Sequence, residues 1–517
     1  MAYRPEEEGR GALPHGEFGL EVIALIGRWR IRSHRSEPEM HRALLARGVT
    51  ITERSVTHSM QRYKEGSIHF SAVLFMMKGT SMHDERESFL IRYSHHFAPF
   101  TVARASGAWI ETTDGRRILD FTSGQICSTI GHNHPQIVAA VQRTLDEVIH
   151  LNSWMLSEPV LALAERLIGL VPAALNKVIL VNTGGEANEV ALRLAKMHTG
   201  HFEIVGLTRS WHGLQAGVAS LNLAAGHAGY GPLMPGSLTL PAPYAYRCPI
   251  RHCTGTCDCS CLEAGFEVID QQSVGSLCAV IAEPVLSAGG IIVPPPDYFQ
   301  RLRKHCDERG MLFILDEAQT GFGRLGTMFG FELYGVEPDI LSVSKTLGGG
   351  IPIAATLASS EIEADCYSKG FMHVTSHVSD PLPAAAGLAV INVIEEEGLV
   401  EQARQRGEYL LARLHELQER HEQIGDVRGQ GLLVGIELVE DRTTKEPADA
   451  LGVAVGDECL QRGLSMNIVR STGGMLNCFR MAPPLSITEG EIDTAISIID
   501  EALTTILAFR SRPNLTI

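Results

Sequence analysis

The sequence lacks any apolar run long enough to cross a bilayer. Its longest, Ile68 to Met77, is about ten residues, where a membrane helix needs ~18–20. It is poor in aromatics (6%) and short of basic charge, with 44 Lys and Arg against 60 Asp and Glu and a net charge of −16. That balance speaks against a whole-chain role on nucleic acid or on an anionic membrane. The opening MAYRPEEEGRG is acidic and has no apolar signal core. Eleven cysteines, an odd number in 517 residues, suit a reduced compartment better than a disulfide framework, so a cytoplasmic location is expected. There is no internal repeat. What is present is a globular composition, 44% hydrophobic and 20% charged, which excludes disorder as the main state. The 51 glycines suit an α/β chain with many strand-to-helix turns.

The charge is uneven. Between Ile26 and Lys64 there are nine basic residues against three glutamates, a net of +6, so the remainder carries −22. Within residues 18–63 the pattern reads as three short helices. Their apolar faces are Leu20, Ile23, Ala24 and Ile26, then Met40, Leu44 and Leu45, then Val56, Met60 and Tyr63 behind a Thr52 cap. The segment resembles transposase-type helix-turn-helix pieces, but a solvated basic appendage is the preferred reading. Met77 and Met82 are candidate starts of a separate catalytic unit.

From about Glu85 the texture changes. Trp109–Glu111 and Ile118–Phe121 flank Asp114-Gly115-Arg116, a hairpin signal. Short apolar runs then alternate with helical patterns: Lys177–Val181, Glu203–Leu207, Ala279–Ala282, Met311–Leu315 and Ile340–Val343. Such alternation implies a mainly parallel sheet covered on both faces. A long amphipathic helix is expected from Leu399 to about Arg420, then a strand from Val427 to Glu437 entered through glycines. The tail reads as strand, turn and helix, a smaller α/β domain.

Four elements carry chemistry. Lys345 follows the apolar run Ile340–Val343 and precedes Gly348-Gly349-Gly350, where shielding can lower a lysine pKa enough for covalent work on a carbonyl. Asp316 closes the run Met311–Leu315, at the strand end where open α/β sheets bind ligands. An acid there can hold a protonated pyridine nitrogen, and Gln319 can donate to a phenolic oxygen on the same ring. Asn182–Asn188 joins a strand to a helix through Thr183, Gly184 and Gly185, a turn that presents free N–H groups to a phosphate. Trp211, in Ser210-Trp211-His212-Gly213, offers a flat face to a heteroaromatic ring. Taken singly these would be a surface lysine, a capping aspartate, a glycine turn and a core tryptophan. Their joint order, with Asp316 and Lys345 29 residues apart, is far more specific.

That order resembles the class III (subgroup II) aminotransferases, pyridoxal-phosphate (PLP) enzymes of fold type I, from about Arg92 to about Ala502. Within them the dialkylglycine decarboxylases are the nearest match, through Phe121–Gln125, SWHG, Ile281–Ile291, Ser376–Pro383, GDVRGQGLL, Leu464–Val469 and Phe479–Leu485. The resemblance implies a large domain with a mainly parallel seven-stranded sheet and a smaller α/β domain. The expected parts are a helical extension (1–80), the start of the small domain (81–134), the large PLP-binding domain (135–397) and the rest of the small domain (398–517). It makes Lys345 the Schiff-base lysine and proton shuttle, with Asp316 on the pyridinium nitrogen, Gln319 on the ring oxygen and Trp211 on the ring face. Thr183, Gly184 and Gly185 would serve the phosphate, and Ser376, where the family has Thr, would reach it from a partner subunit. Arg480 would clamp a substrate carboxylate, and Gln125 would touch the one lost as CO2. An alkali cation such as potassium would sit on the carbonyls of Leu151 and Val378 with Ser153, Ser376 and Asp380.

The expected reaction is decarboxylating transamination of a 2,2-dialkylglycine or related amino acid. It gives CO2 and a ketone, with a keto acid such as pyruvate as amino acceptor, in a homodimer or homotetramer with shared sites. Ala288 after Ser287 and Leu214 depart from the nearest relatives and bear on substrate preference. The alternatives are a class III aminotransferase that spares the carboxylate and, more remotely, a DNA-binding regulator with an aminotransferase-like sensor domain. Cys248, Cys253, Cys257, Cys259 and Cys261, with His252 among them, form either a soft-metal loop or a loop of free thiols.

Overall fold

The computed structural model describes residues 85–91, 97–222, 231–250, 257–468 and 477–510. The extension 1–80 with its three expected helices, His252, Cys253 and Val469 lie outside them. The chain forms two compact units, 1–101 with 453–461 and 499–517, and 102–452 with 462–498. In the first, residues 85–89 form a 3-10 turn, and 453–461 and 499–510 are helical. Everything below concerns the second.

It begins with an antiparallel meander, β1 (Val102–Ser106), β2 (Trp109–Thr112) and β3 (Arg117–Asp120), joined in parallel at its edge by the late strand β14 (Leu464–Ser465). The expected hairpin about Asp114-Gly115 is the β2–β3 turn.

The main sheet has seven strands: β4 (Lys177–Val181), β5 (Glu203–Leu207), β6 (Ser237–Leu240), β7 (Leu277–Ala282), β8 (Leu312–Asp316), β9 (Ile340–Val343) and β10 (Ala354–Ala358). Their order is β4-β10-β9-β8-β7-β5-β6. All run parallel except β10, which is antiparallel to both its neighbours. Strands β5, β9 and β10 are buried along their whole length, which is why their sequences do not alternate apolar with polar residues. The helix Gly184–Thr199 lays Val190, Ala191 and Leu194 into a core shared with Ile281, Ile314 and Ile340. Because the strands are parallel, β4, β5, β7, β8 and β9 all deliver the residues that follow them to one edge of the sheet.

The long helix is Leu399–Arg420, as expected. The single strand expected from Val427 to Glu437 is instead a hairpin, β11 (Ile424–Gln430) and β12 (Leu433–Asp441), with Gln430 paired to Leu433. Gly431, at φ 54°, supplies the left-handed residue that reverses the chain. With β13 (Glu446–Pro447), β15 (Asn467–Ile468) and β16 (Cys478–Met481) these strands make a five-stranded sheet. Among the described residues no helix is long and apolar enough to cross a membrane.

Candidate active site

Asp316 ends β8 almost fully buried. Its Oδ2 accepts from Asn188 Nδ2 at 2.7 Å and His212 Nδ1 at 2.9 Å, and its Oδ1 accepts from the Ala318 amide at 3.0 Å. Asn188 also donates to the His212 carbonyl at 2.9 Å, and Asn222 Oδ1 accepts from the His212 amide at 2.5 Å. A carboxylate only accepts, so the His212 proton that faces Asp316 is on Nδ1. His212 Nε2 is buried without a partner. The carboxylate is thus braced from the helix Gly184–Thr199 and from the turn after β5.

Glu283 follows β7 and is buried behind Trp211, whose amide donates to Glu283 Oε1 at 2.9 Å; the Ser287 amide reaches Oε2 at 3.3 Å. Burial pushes this carboxyl up to about 7 against the partial relief of His212, while Asp316 adds to the rise. A folded pKa above the unfolded one means stability present in acid and lost as pH rises from about 4.5 through about 7. Replacing Glu283 with Gln in cofactor-free protein loses one of its two backbone partners at every pH, at about 1–3 kcal/mol. Between pH 5 and pH 8 the variant should gain on the parent by up to about 3 kcal/mol in stability. Paired thermal melts across that range check the sign.

Lys345 begins the 3-10 turn Lys345–Gly348 after β9, with φ at 46°, a conformation an L-residue adopts at a cost of roughly 1–2 kcal/mol. Burial strips water from its ammonium and lowers its pKa below the lysine norm. Asp316 and then Cys127 oppose that shift, and Arg480 reinforces it. More of the free amine, the nucleophilic form, is available as a result. The turn Ser123–Ile126 packs beside Lys345–Gly348. It holds three successive left-handed or distorted residues, Ser123 at φ 46°, Gly124 at φ 65° and Gln125 at φ −101° and ψ 47°, before Ile126 at φ 61°. A β-branched residue at positive φ marks stored strain. Gln125 is exposed, and its carbonyl accepts from Cys127 Sγ at 3.4 Å.

Thr183 caps the helix Gly184–Thr199 by accepting from the Glu186 amide at 3.2 Å. The amides of Gly184 and Gly185 have no intrahelical acceptor. A Cβ on Gly213 would lie 2.4 Å from the Gly185 Cα, and one on Gly185 would lie 3.1 Å from the Gly213 Cα, so the turn after β5 closes over this helix end glycine against glycine. Such an end is a seat for a phosphate.

Arg480, on β16, reaches the same place. Its Nη1 donates to Gln319 Oε1 at 3.2 Å and to Ser287 Oγ at 3.5 Å, and among the described residues no carboxylate pairs with it. Burial pulls its pKa down to about 10, with Glu283 opposing. A guanidinium with only neutral partners is set for a carboxylate from outside. With Gln319 Oε1 on Arg480, the Gln319 amide nitrogen is left to donate elsewhere. Arg480→Ala should raise KM for the keto acid about 10²-fold with a smaller change in kcat, the loss of one charge-assisted pair; steady-state kinetics reads this.

The structure brings Lys345, Asp316, Gln319, Trp211, Gly184, Gly185 and Arg480 to one edge of the sheet. Thr183 is engaged in the cap. Ser376 is exposed, and its neighbour Thr375 donates to Glu186 Oε1 at 3.3 Å. Among the expected alkali-ion donors, the Asp380 carboxylate already has hydrogen-bond partners. Leu151 and Ser153 are half-buried and Val378 is buried, but both Asp380 oxygens accept from imidazoles, His150 Nδ1 at 2.7 Å and His377 Nδ1 at 2.6 Å. Asn188, His212 and Glu283 went unassigned in the sequence. The signal available was that each stands inside a motif already singled out.

A helix end cleared by glycine, a braced buried carboxylate, a lysine of lowered pKa and an arginine with no carboxylate partner among the described residues fit pyridoxal phosphate and an acidic substrate. Residues 91–503 match the sequence model of the family "Aminotransferase class-III". An uncharacterized aminotransferase of Schizosaccharomyces pombe is 48% identical over 418 residues, covering 80% of this chain and 93% of its own. A leucine/methionine racemase of Thermococcus litoralis is 33% identical over 435 residues, 81% of this chain and 95% of its own. The solved structure of a PLP-bound amine transaminase from an uncultivated Pseudomonas species superposes with a TM-score of 0.75 at 32% identity, over 82% of this chain and 99% of that one. The chain belongs to the class III aminotransferases, PLP enzymes of fold type I.

Proposed function

We propose that the chain carries out decarboxylating transamination of a 2,2-dialkylglycine or related amino acid, releasing CO2 and a ketone, and passes the amino group to a keto acid such as pyruvate. The observation that supports this is a division of labour between two polar groups. Arg480 is a half-buried cation with no carboxylate partner among the described residues, and Gln125 is a neutral amide on the strained turn beside Lys345.

Bound PLP supplies a conjugated electron sink for the bond broken at the substrate's α-carbon. Asp316 holds the ring nitrogen, and Asn188 and His212 hold Asp316. Gln319, steadied by Arg480, donates to the ring oxygen. Gln125 orients the departing carboxylate without the strong ground-state attraction a cation would exert, which favours loss of CO2. Lys345 then delivers a proton from Nζ. Arg480 holds the carboxylate of the keto acid in the second half of the cycle.

The second reading is amino transfer with the carboxylate spared. The aminotransferase relatives favour it, and a racemase among the relatives leaves open which α-carbon bond is broken. Incubation with 2-aminoisobutyrate and pyruvate separates the two. CO2, acetone and alanine in equal amounts are expected; no CO2 alongside normal transfer from alanine would sink the decarboxylating version.

A homodimer or homotetramer is part of the proposal. Trp154, Leu156, Met372 and Val374 are each at least 70% exposed, and their two segments meet at His150 and His377, whose rings are 5.1 Å apart. Such a patch is costly in water and suits a second copy. Sedimentation of the holoenzyme gives the number of chains.

A further inference from the structure

We propose that a buried relay, Arg324 to Thr129 to Thr346, positions Lys345 against the turn that carries Gln125. Arg324 is fully buried, and among the described residues no carboxylate pairs with it. Burial without a counter-ion pulls its pKa down to about 9. The charge is therefore a burden at this place, and the use of the side chain lies in its planar fork of N–H donors.

The fork reaches three separate segments. Nη1 donates to the Leu432 carbonyl at 3.1 Å, at the start of β12, and to the Pro483 carbonyl, three residues past Arg480. Nη2 donates to Thr129 Oγ1 at 3.1 Å. A lysine, with one nitrogen on a flexible stem, cannot span these three acceptors at once.

Thr129 carries the connection on to Lys345. Its hydroxyl is buried, and its whole bonding capacity is taken. A carbonyl only accepts, so the Thr129 hydrogen goes to the Ile126 carbonyl at 3.1 Å. A guanidinium only donates, so Arg324 takes one lone pair. The other lone pair receives the hydrogen of Thr346 Oγ1 at 3.0 Å. Each direction is fixed by its partner, and no second arrangement of these hydrogens satisfies all three. Thr346 follows Lys345, and Ile126 follows Gln125. Lys345 and Ile126 both stand at positive φ, 46° and 61°. Such conformations persist only where the surroundings over-determine them, and one hydroxyl here ties both. The relay acts through Lys345 and touches no reacting atom. It rests on the reading of Lys345 as the lysine that holds PLP, and it is indifferent to which α-carbon bond is broken.

The test uses holoenzyme. It follows the visible absorption of PLP held by Lys345 against pH, and steady-state amino transfer from alanine to 2-oxobutyrate. Thr129→Val and Thr346→Val should each lower kcat about 10- to 100-fold, with KM for alanine within about twofold of the parent. Each should also move the pH midpoint of the visible band by at least about half a unit. Thr346→Ser keeps the hydroxyl and should restore both properties. The double valine variant should be no worse than Thr129→Val, which already cuts the tie to Thr346. Parent-like kcat and midpoint in both valine variants, even with a lowered Tm, overturn the relay and leave a brace for the fold. Equal losses in Thr346→Ser and Thr346→Val overturn it too, since the hydroxyl would then not be the agent. A visible band that survives Lys345→Ala overturns the reading of Lys345 and this inference with it. A band lost there but unmoved in the valine variants overturns the relay alone.

Discussion

Lys345→Ala is expected to retain less than about one part in 10⁴ of the parent turnover, because the nucleophile and the proton shuttle are lost together. The substitution is clean in one respect. Alanine at φ 46° pays the same left-handed penalty as lysine, so the backbone is no more strained than before. Lys345→Gly removes that penalty and should be the more stable of the two by roughly 1 kcal/mol, with turnover equally lost. Turnover, thermal melts and PLP retained after gel filtration read the three consequences. Turnover within tenfold of the parent in either variant would make Lys345 an ordinary lysine at a strand end.

Asp316→Asn is expected to lower kcat about 10³-fold, since an amide cannot hold a protonated ring nitrogen as a carboxylate does. A second effect has a different cause. The Asp316 Oδ2 position receives hydrogens from both Asn188 and His212, and an amide can present its oxygen to that pair or to the Ala318 amide but not to both. At least one buried donor is left unpaired, at about 1–3 kcal/mol. Asn188→Ala, which leaves the carboxylate and His212 in place, should share the stability loss and much less of the kcat loss. If Asp316→Asn lost stability alone, the residue would be a strand cap and nothing more.

The main sheet was legible because its parallel strands are buried on both faces. Glu203–Leu207 and Ile340–Val343 are bounded as read, and Met311–Leu315 shifts by one residue to take in Asp316. What escaped notice has physical reasons. Ala354–Ala358 is mostly alanine, too small to register as an apolar run, yet it is a fully buried strand running against its neighbours. The Val427–Glu437 stretch is apolar on both sides of Gly431, so pattern alone could not show where the chain turns back. In the site, the residues with chemistry of their own, Lys345, Asp316 and Arg480, stood out. Those that act through a neighbour did not. Asn188 and His212 lie 128 and 104 residues from the carboxylate they brace, and nothing local marks such a bond. The imidazoles on Asp380 were hidden in the same way, since His150 comes from 230 residues upstream.

The antiparallel strand β10 has a consequence for what this chain can tolerate. The turn that carries Lys345, residues 344–353, is closed at one end by β9 and at the other by β10, which pair directly, Val343 with Ala355. An inserted residue in a surface connection bulges into solvent, but here the next strand is already in register. A slip of one residue turns its side chains to the opposite face. Thr356, whose hydroxyl donates to the Ala187 carbonyl at 2.7 Å on the helix Gly184–Thr199, would lose that tie. Length is therefore held tightly in the stretch 344–348, before the exposed Gly350 and Pro352.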